Sequence, residues 1–473
     1  MKKSLLTTTL LAMLAGCSLA PVYERPAQPV PQAWQSGDAV PDAAAARPVA
    51  EIHWREFFAD ERLRKLIELA LANNRDLRVS TLNIEKAKAQ YNIDSAALLP
   101  KLSANVSQSA ARTPAALHGG EAAVSRQYNG GLALASYELD FFGKLRNLSE
   151  AALQSYLGTE EARRAQQITL VSEVANAYLT LSADQQRLKL AQDTLKSQQT
   201  TYELSQKRFS SGVTSGVDVY DAQTSVEAAR NDAAVYTAQV ALDQNALALL
   251  VGNTVPPALL PAGDLAEVTQ LAAIPAGLPS DLLQSRPDVQ EAERALRAAN
   301  ANIGVARAAF FPSIALTASG GSASGSLSGL FKAGSGAWSF APQINLPLFD
   351  AGVNRANLNI ARTERDISVA QYEKAIQVAF REVSDALAQR GTLDERMASQ
   401  QLLVDAAQKS FTLYEARYRK GADSYLNALV SQRALYAAQQ GLITTRLAKT
   451  SNAVTLYKVL GGGWQPEIAP PRG

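Results

Sequence analysis

Few side chains in this chain could carry covalent or acid–base chemistry. Its 473 residues include two His and one Cys. A single Cys excludes an intrachain disulfide. Two His are too few for the usual histidine-based metal or acid–base site. There is no GK[ST] loop and no HExxH pair, so neither a phosphate-cradling P-loop nor a zinc-peptidase helix is encoded. The run at 320–325 (GGSASG) has no Lys after it, and reads as a loop between strands. Together these absences argue against an enzyme. The chemistry left open centres on the lone thiol of Cys17.

Its setting is informative. Lys2 and Lys3 precede an apolar run from Leu5 to Leu14, followed by Ala15 and Gly16. A charged start, a short apolar core and small residues make a secretory signal over 1–16, too short for a membrane span. The sequence Leu14-Ala15-Gly16-Cys17 resembles a bacterial lipoprotein processing site. That resemblance implies cleavage before Cys17, a diacylglycerol on its thiol and acylation of the new N-terminus. Ser18 follows, where an Asp would imply inner-membrane retention, so outer-membrane sorting is expected. Residues 17–60 then read as a lipidated tether, Pro- and Ala-rich in its first part.

Composition bounds the rest. Lys+Arg 46 against Asp+Glu 44 lacks the basic excess of a nucleic-acid binder. With 47% apolar residues, the chain can bury a large core and exceeds one ordinary domain.

Internal repetition sets the architecture. Asp76, Ala87, Ala96, Pro100 and Ser107 recur in order as Asp288, Ala299, Ala308, Pro312 and Ser319. Leu204, Arg208, Gly212, Ser215 and Gly252 recur as Leu413, Arg417, Gly421, Ser424 and Gly461. The repeat is longer than a solenoid unit, so this is a duplicated half. The halves span 61–252 and 280–462, joined by a Pro-rich linker over 253–279 and followed by a tail over 463–473.

Each half reads helix, strand, strand, long helix, long helix. Leu102, Ala104 and Val106 alternate with Ser103, Asn105 and Ser107, and Ile314 and Leu316 with Ser313 and Thr317. This period of two marks strands with one apolar face. Partner strands are expected near 127–138 and 337–348, with Pro342 and Pro347 forcing a bulge or an irregular end. Residues 145–209 contain no Pro and only Gly158, so about 65 residues extend for roughly 100 Å as helix. Leu181, Leu188, Leu195, Tyr202 and Phe209 fall every seven residues, as do Met397, Val404, Phe411 and Tyr418, the period of a coiled-coil seam. Gly-containing turns at 210–216 and 419–424 lead into returning helices.

Four strands of about ten residues suit tilted membrane strands. Four cannot close a barrel, and lipid does not tolerate open edges, so the chain is expected to oligomerise. Trp338, Phe340, Phe141 and Phe142 suit either a membrane interface or core packing.

Several segments carry a resemblance over essentially the whole chain: WREFF at 54–58, NNRDLR at 73–78, YELDFFGKLR at 137–146, AGLPSDLLQSRPDVQEAE at 276–293, ANIGVARAAFFPSI at 301–314 and LGGGW at 460–464. On these the chain resembles the outer membrane factor family of TolC-like ducts, in the lipoprotein branch of OprM and CusC. The resemblance implies a mainly α fold with a membrane β-barrel. Three chains of four strands each make a 12-stranded outer-membrane barrel, continued by a periplasmic α-helical coiled-coil barrel. It implies a homotrimer that acts as the exit duct of a tripartite efflux pump, with a periplasmic adaptor and an inner-membrane RND transporter as partners. No cofactor beyond the lipid on Cys17 is expected. A type I protein-secretion duct and a metal-efflux duct share the architecture. Met397 is the only Met left after processing, which weighs against a Met-lined copper or silver path.

The resemblance places adaptor contacts at the two turns: Gly212, Val213, Thr214 and Ser215, and Gly421, Ala422, Asp423 and Ser424. It places the periplasmic gate at Tyr418, Leu426, Val430 and Arg433. Val430 stands where the OprM-like pattern has Asp, and its repeat mate is Asp221. An acidic ring of Asp221 is therefore expected, the alternative being a carboxylate that caps or solvates a helix. Arg208 and Arg417, also repeat mates, are expected either to pair with acidic residues across helices and hold the tip shut, or to solvate a helix face.

Overall fold

A computed structural model describes residues 18–31, 49–117, 119–261 and 284–464. Cys17, the signal, most of the linker and the tail lie outside the described residues. The strands and the longer helices are α1 (Glu61–Asn73), α2 (Arg75–Ala96), β1 (Leu102–Thr113), β2 (Ala123–Leu139), α3 (Lys144–Ser210), α4 (Gly216–Val251), α5 (Pro287–Ala308), β3 (Ser313–Ser324), β4 (Gly336–Asn345), α6 (Val353–Arg419) and α7 (Tyr425–Val459). The order α2-β1-β2-α3-α4 repeats as α5-β3-β4-α6-α7, and α3 and α6 are both 67 residues long. The internal duplication is therefore structural as well as sequential. No described helix is long and apolar enough to cross a membrane.

The chain forms two compact units, each drawing on both halves. The first takes Met1–Ala27, Asn83–Glu160 and Glu291–Glu373 and holds all four strands. They make one antiparallel sheet in the order β1-β2-β3-β4. Gly320–Ser324, expected as loop, is the last part of β3, paired to β2 throughout and to β4 as far as Ser322. Gly and Ser keep that stretch slim without breaking its alternation. Of the two outcomes expected for the prolines, the early end is seen and the bulge is not. Pro342 sits within β4 opposite Leu316, and β4 ends at Asn345, before Pro347. Ala323 N–H donates to Ser335 O, which puts Pro342 in a non-hydrogen-bonded pair with its imino nitrogen on the open edge. No ladder bond is lost, so no bulge forms there. The irregularity lies in β2, between Leu134 and Tyr137, where Ser136 has φ 48°.

The second unit takes Gln28–Leu82, Glu161–Gln290 and Lys374–Gly473. Its core gathers Trp54, Phe57, Phe58, Leu63, Leu66, Ile67, Val174 and Tyr178, all buried. Tyr457 stacks on Phe57 at 3.9 Å between centroids and donates to Ile52 O at 2.6 Å. Asp60 caps α1 through Arg62 N and Leu63 N and accepts from Tyr178 OH at 3.0 Å. Asn74 caps α2 at Leu77 N and ties it to the end of α4 through Leu250 O. Arg286, also buried, bonds Asp288, Glu382 and Val459 O.

Candidate functional site

The first functional surface is the sheet. Strand alternation and register put Leu102, Ala104 and Val106 on one face with Tyr128, Leu132 and Leu134, then Ile314 and Leu316, then Trp338, Phe340 and Ile344. The opposite face carries Ser103, Asn105, Ser107, Gln127, Asn129, Thr317, Ser319, Ser339 and Gln343. Both faces of β1 and β4 are exposed within the chain. An exposed apolar face backed by a polar one is the patterning of a membrane barrel wall, lipid on one side and water on the other. Trp338 and Phe340 belong to the apolar face, whereas Phe142 stacks on Phe311 at 4.7 Å. At the centre Gly131 pairs with Gly321. A Cβ on Gly131 would stand 2.5 Å from Gly320 O and 2.8 Å from Gly321 Cα, so these glycines let β2 and β3 approach closely.

The second feature is the segment just after Cys17. It is docked along α5 of the same unit. Ser18 donates to Asn147, Arg307 to Leu19 O and Asn300 to Pro21 O, at 2.8–2.9 Å. Gly304 leaves the room: a Cβ there would lie 2.7 Å from Ala20 N. The strap ends in a clasp. Glu293, nearly buried, accepts from Tyr23 OH at 3.1 Å, Arg25 at 2.8 Å and Arg297 at 2.7 Å, and Arg297 lies over the Tyr23 ring. Burial pushes the Glu293 carboxyl up, but the hydrogen bonds and charges of Arg297 and Arg25 outweigh it and hold it below its ordinary value. The clasp's contribution to strap docking is thus fully present above the ordinary carboxylate range and is lost as pH falls through the lowered value. Glu293→Gln is expected to cost about 2 kcal/mol, roughly a thirty-fold rise in strap opening. Hydrogen exchange of residues 19–25 measures this; unchanged protection would show that the clasp holds nothing.

The third feature is the pair of hairpin turns in the second unit. Both end their long helix in the same Schellman motif. Val213 N donates to Arg208 O and Gly212 N to Phe209 O; Ala422 N donates to Arg417 O and Gly421 N to Tyr418 O. Gly212 and Gly421 have φ 71° and 73°, which explains glycine at both. Val213, Ser215, Ala422 and Ser424 are exposed, as are the two glycines. Thr214 and Asp423 are half-buried by local bonds, Thr214 to Asp218 and Asp423 to Arg417, Asn427 and Ser424 N.

The arginines take partners the sequence did not disclose. Arg208 pairs with no carboxylate among its described contacts. It donates to Arg419 O at 3.1 Å and Tyr418 O at 3.4 Å, and its guanidinium lies 4.7 Å over the Tyr418 ring. A cation at the last carbonyls of α6 complements that helix end. Arg417 does meet an acid, but Asp423 lies in its own turn, at 3.0 Å. The repeat mates differ because the first turn has Thr214 where the second has Asp423.

The residues expected at the gate also divide. Tyr418 is buried among Ala222, Tyr425, Ala428, Leu429 and Tyr202 rather than standing on an open face. Leu426, Val430 and Arg433 share one exposed strip of α7. Asp221 is half-buried beside this cluster. Tyr425 joins the groups: burial pushes its phenol up to about 12, Tyr418 and Asp221 add to the rise, and Ser225 and Arg433 oppose it. The sequence reading missed Tyr425 and the Arg25–Glu293 clasp, and had Tyr202 as a seam position without its contact to the Tyr418 cluster. For Tyr425 a signal existed, since its counterpart in the first hairpin is Gly216.

Comparison with known proteins identifies the family. The family profile described as outer membrane efflux protein matches residues 66–253 and 278–462. A prokaryotic membrane lipoprotein lipid attachment site matches residues 1–18. The toluene efflux pump outer membrane protein TtgC of Pseudomonas putida is 50% identical over 485 residues, covering 100% of both chains. The cation efflux system protein CusC of Escherichia coli is 44% identical over 457 residues, covering 96% of this chain and 97% of that protein. A crystal structure of a membrane protein from Pseudomonas aeruginosa superposes with TM-score 0.88 at 41% identity, covering 94% of this chain and 100% of that one. Half identical to a full-length relative and matched by the family profile in both halves, the chain belongs to the outer membrane efflux protein family, as a lipoprotein of the Gram-negative outer membrane that serves as a passive channel.

Proposed function

We propose that three copies of this chain form the exit duct of a tripartite RND-type efflux pump for toxic organic compounds. The observation that carries this is the amphipathic sheet with two unpaired edges, β1 and β4. Unpaired N–H and C=O groups cost several kcal/mol each in hydrocarbon, so the edges must meet those of neighbouring copies. Three copies make twelve strands, and Pro342 omits one donor from the seam. The diacylglycerol and N-acyl chains on Cys17 hold the strap at the membrane. The inner-membrane transporter supplies the energy, and the adaptor docks on Gly212–Ser215 and Gly421–Ser424.

Gating belongs to the second unit. Asp221, Leu426, Val430 and Arg433 narrow the duct, while Tyr418, Arg208 and Arg417 hold the hairpin ends. Three Asp221 carboxylates near one axis would repel each other and attract cations. Asp221→Ala is expected to raise resting conductance in planar bilayers about two- to five-fold and weaken cation preference, a change of roughly 1 kcal/mol. An unaltered conductance and selectivity would leave Asp221 a helix-surface group.

Substrate class is tested by a drug, solvent and metal susceptibility panel in a deletion strain with and without this protein. Restored resistance to several unrelated organic compounds supports the reading. Restoration confined to one metal would move the duct to cation efflux, the role in the name of CusC. Restoration of one exported polypeptide would move it to protein secretion.

A further inference from the structure

The apolar face of the sheet changes character toward one end. Helices α2 and α3 attach at the Leu102 and Leu139 end of the strands, so the β1–β2 and β3–β4 loops lie at the far, outward end. Along β1 the lipid-side positions run Leu102, Ala104, Val106, Gln108, Ala110 and Arg112. Along β2 they run Leu134, Leu132, Gly130, Tyr128, Arg126 and Val124. The face therefore passes from aliphatic to the aromatic Tyr128 and then to two arginines. Arg112 is paired with Val124 and Arg126 with Ala110, which makes the two arginines diagonal neighbours, roughly 7–8 Å apart at the backbone. Both are exposed, and neither has an ion-pair partner among the described residues.

The β3–β4 loop adds to the same rim. It folds back over Gly130, where an added Cβ would meet Leu330, Phe331 and Val106 at 3.6–3.9 Å. Leu330 is buried by this, but Phe331 is 83% and Leu327 67% exposed. Lys332, next in sequence, is exposed as well. Among the described residues of the two outer loops, Glu121 is the acidic group. Cations set above an aromatic residue and next to exposed apolar side chains match the depth at which lipid phosphates lie over acyl chains. A solvated basic surface would serve equally well on the polar face, where the register puts neither arginine.

We infer that Arg112 and Arg126 bind the phosphorylated headgroup of the outer-leaflet glycolipid, with Leu327 and Phe331 packed against its acyl chains. This rests on the lipid-facing assignment of the sheet and goes beyond the duct reading. The partner is the lipid rather than free phosphate, because the cations border the apolar band.

Native mass spectrometry of the full lipidated protein, titrated with bisphosphorylated lipid A, tests it. Wild type is expected to retain the glycolipid, and Arg112→Gln/Arg126→Gln to bind it roughly ten- to thirty-fold more weakly. Arg112→Lys/Arg126→Lys should keep most of the affinity. Dephosphorylated lipid A should bind wild type as weakly as the Gln variant binds the parent lipid, and millimolar inorganic phosphate should not compete. Equal retention by wild type and the Gln variant would overturn the inference, as would undiminished binding of the dephosphorylated lipid to wild type. The second comparison decides even if the double variant does not assemble. Displacement by inorganic phosphate would reduce the rim to a general anion site. Failure of wild type to restore efflux would remove the duct reading and leave this binding measurement unaffected.

Discussion

Replacing Arg208 with Ala is expected to raise the resting open probability of the assembled channel by roughly ten- to a hundred-fold. The guanidinium joins α3 to the end of α6 through Tyr418 O and Arg419 O and covers the Tyr418 ring. Two charge-assisted bonds and a cation–π contact, partly screened by water, amount to about 1.5–3 kcal/mol. Single-channel recording reads the effect directly. Arg208→Lys keeps the charge but not the planar fork, so it should fall between wild type and Ala. Tyr418 offers a second handle. Tyr418→Phe keeps the packing and the ring under Arg208, and gives up only a 3.5 Å contact to Ser205, so it should gate almost normally. Tyr418→Ala empties a buried site and should destabilise the hairpin ends by about 3 kcal/mol or more. An Arg208→Ala channel as quiet as wild type, with unchanged hydrogen exchange at the ends of α3 and α6, would show that the clasp does not hold the tip.

Substitution of Val for Gly131 or Gly321 is expected to abolish assembly of the barrel. The two residues face each other across the junction between β2 and β3, where the two halves of the duplicated chain meet. A Cβ at Gly321 would overlap the Gly130 carbonyl and stand 2.5 Å from Gly131 Cα. The obstacle is backbone, which cannot rotate away as a side chain could. Overpacking of this kind costs at least about 1–3 kcal/mol, and relief by strand separation would break ladder bonds in lipid. Heat-modifiable gel migration should lose the oligomer in both variants. Gly320→Ala is the control, because a Cβ there meets nothing within 4 Å. If both Val variants assemble like wild type, the close approach of β2 and β3 is dispensable.

Much of the fold was legible because its determinants are local. The processing site is a short covalent signal. The absence of Pro over 145–209 and the seven-residue spacing specify a long helix without reference to anything distant. Alternation along Leu102–Ser107 specifies a two-sided strand, and the glycines of both turns answer to the φ of a Schellman motif. The recurrence of these patterns gave the duplication. The candidate site residues were named by resemblance, and their contacts were not legible in the sequence. Tyr418, Leu426, Val430 and Arg433 came together from the resemblance alone, and only the structure separates the exposed strip of Leu426, Val430 and Arg433 from the buried Tyr418.

The sequence by itself determined the export and lipid signal, the non-enzymatic composition, the repeated order of elements, and the apolar and polar faces of the strands. Each follows from residue type and period along one segment. Only the tertiary structure decided that Arg208 grips backbone carbonyls while Arg417 turns to Asp423, that Tyr418 is packed inside, and that Glu293 clasps the segment after Cys17. It also decided that Pro342 lies on an edge without a bulge. These outcomes depend on which of many chemically equivalent partners comes within hydrogen-bond or van der Waals reach. For Arg208 and Arg25, with carboxylates, carbonyls and rings all available, that choice is made by packing between segments 210 and 268 residues apart, whereas Arg417 takes an acid six residues on in its own turn.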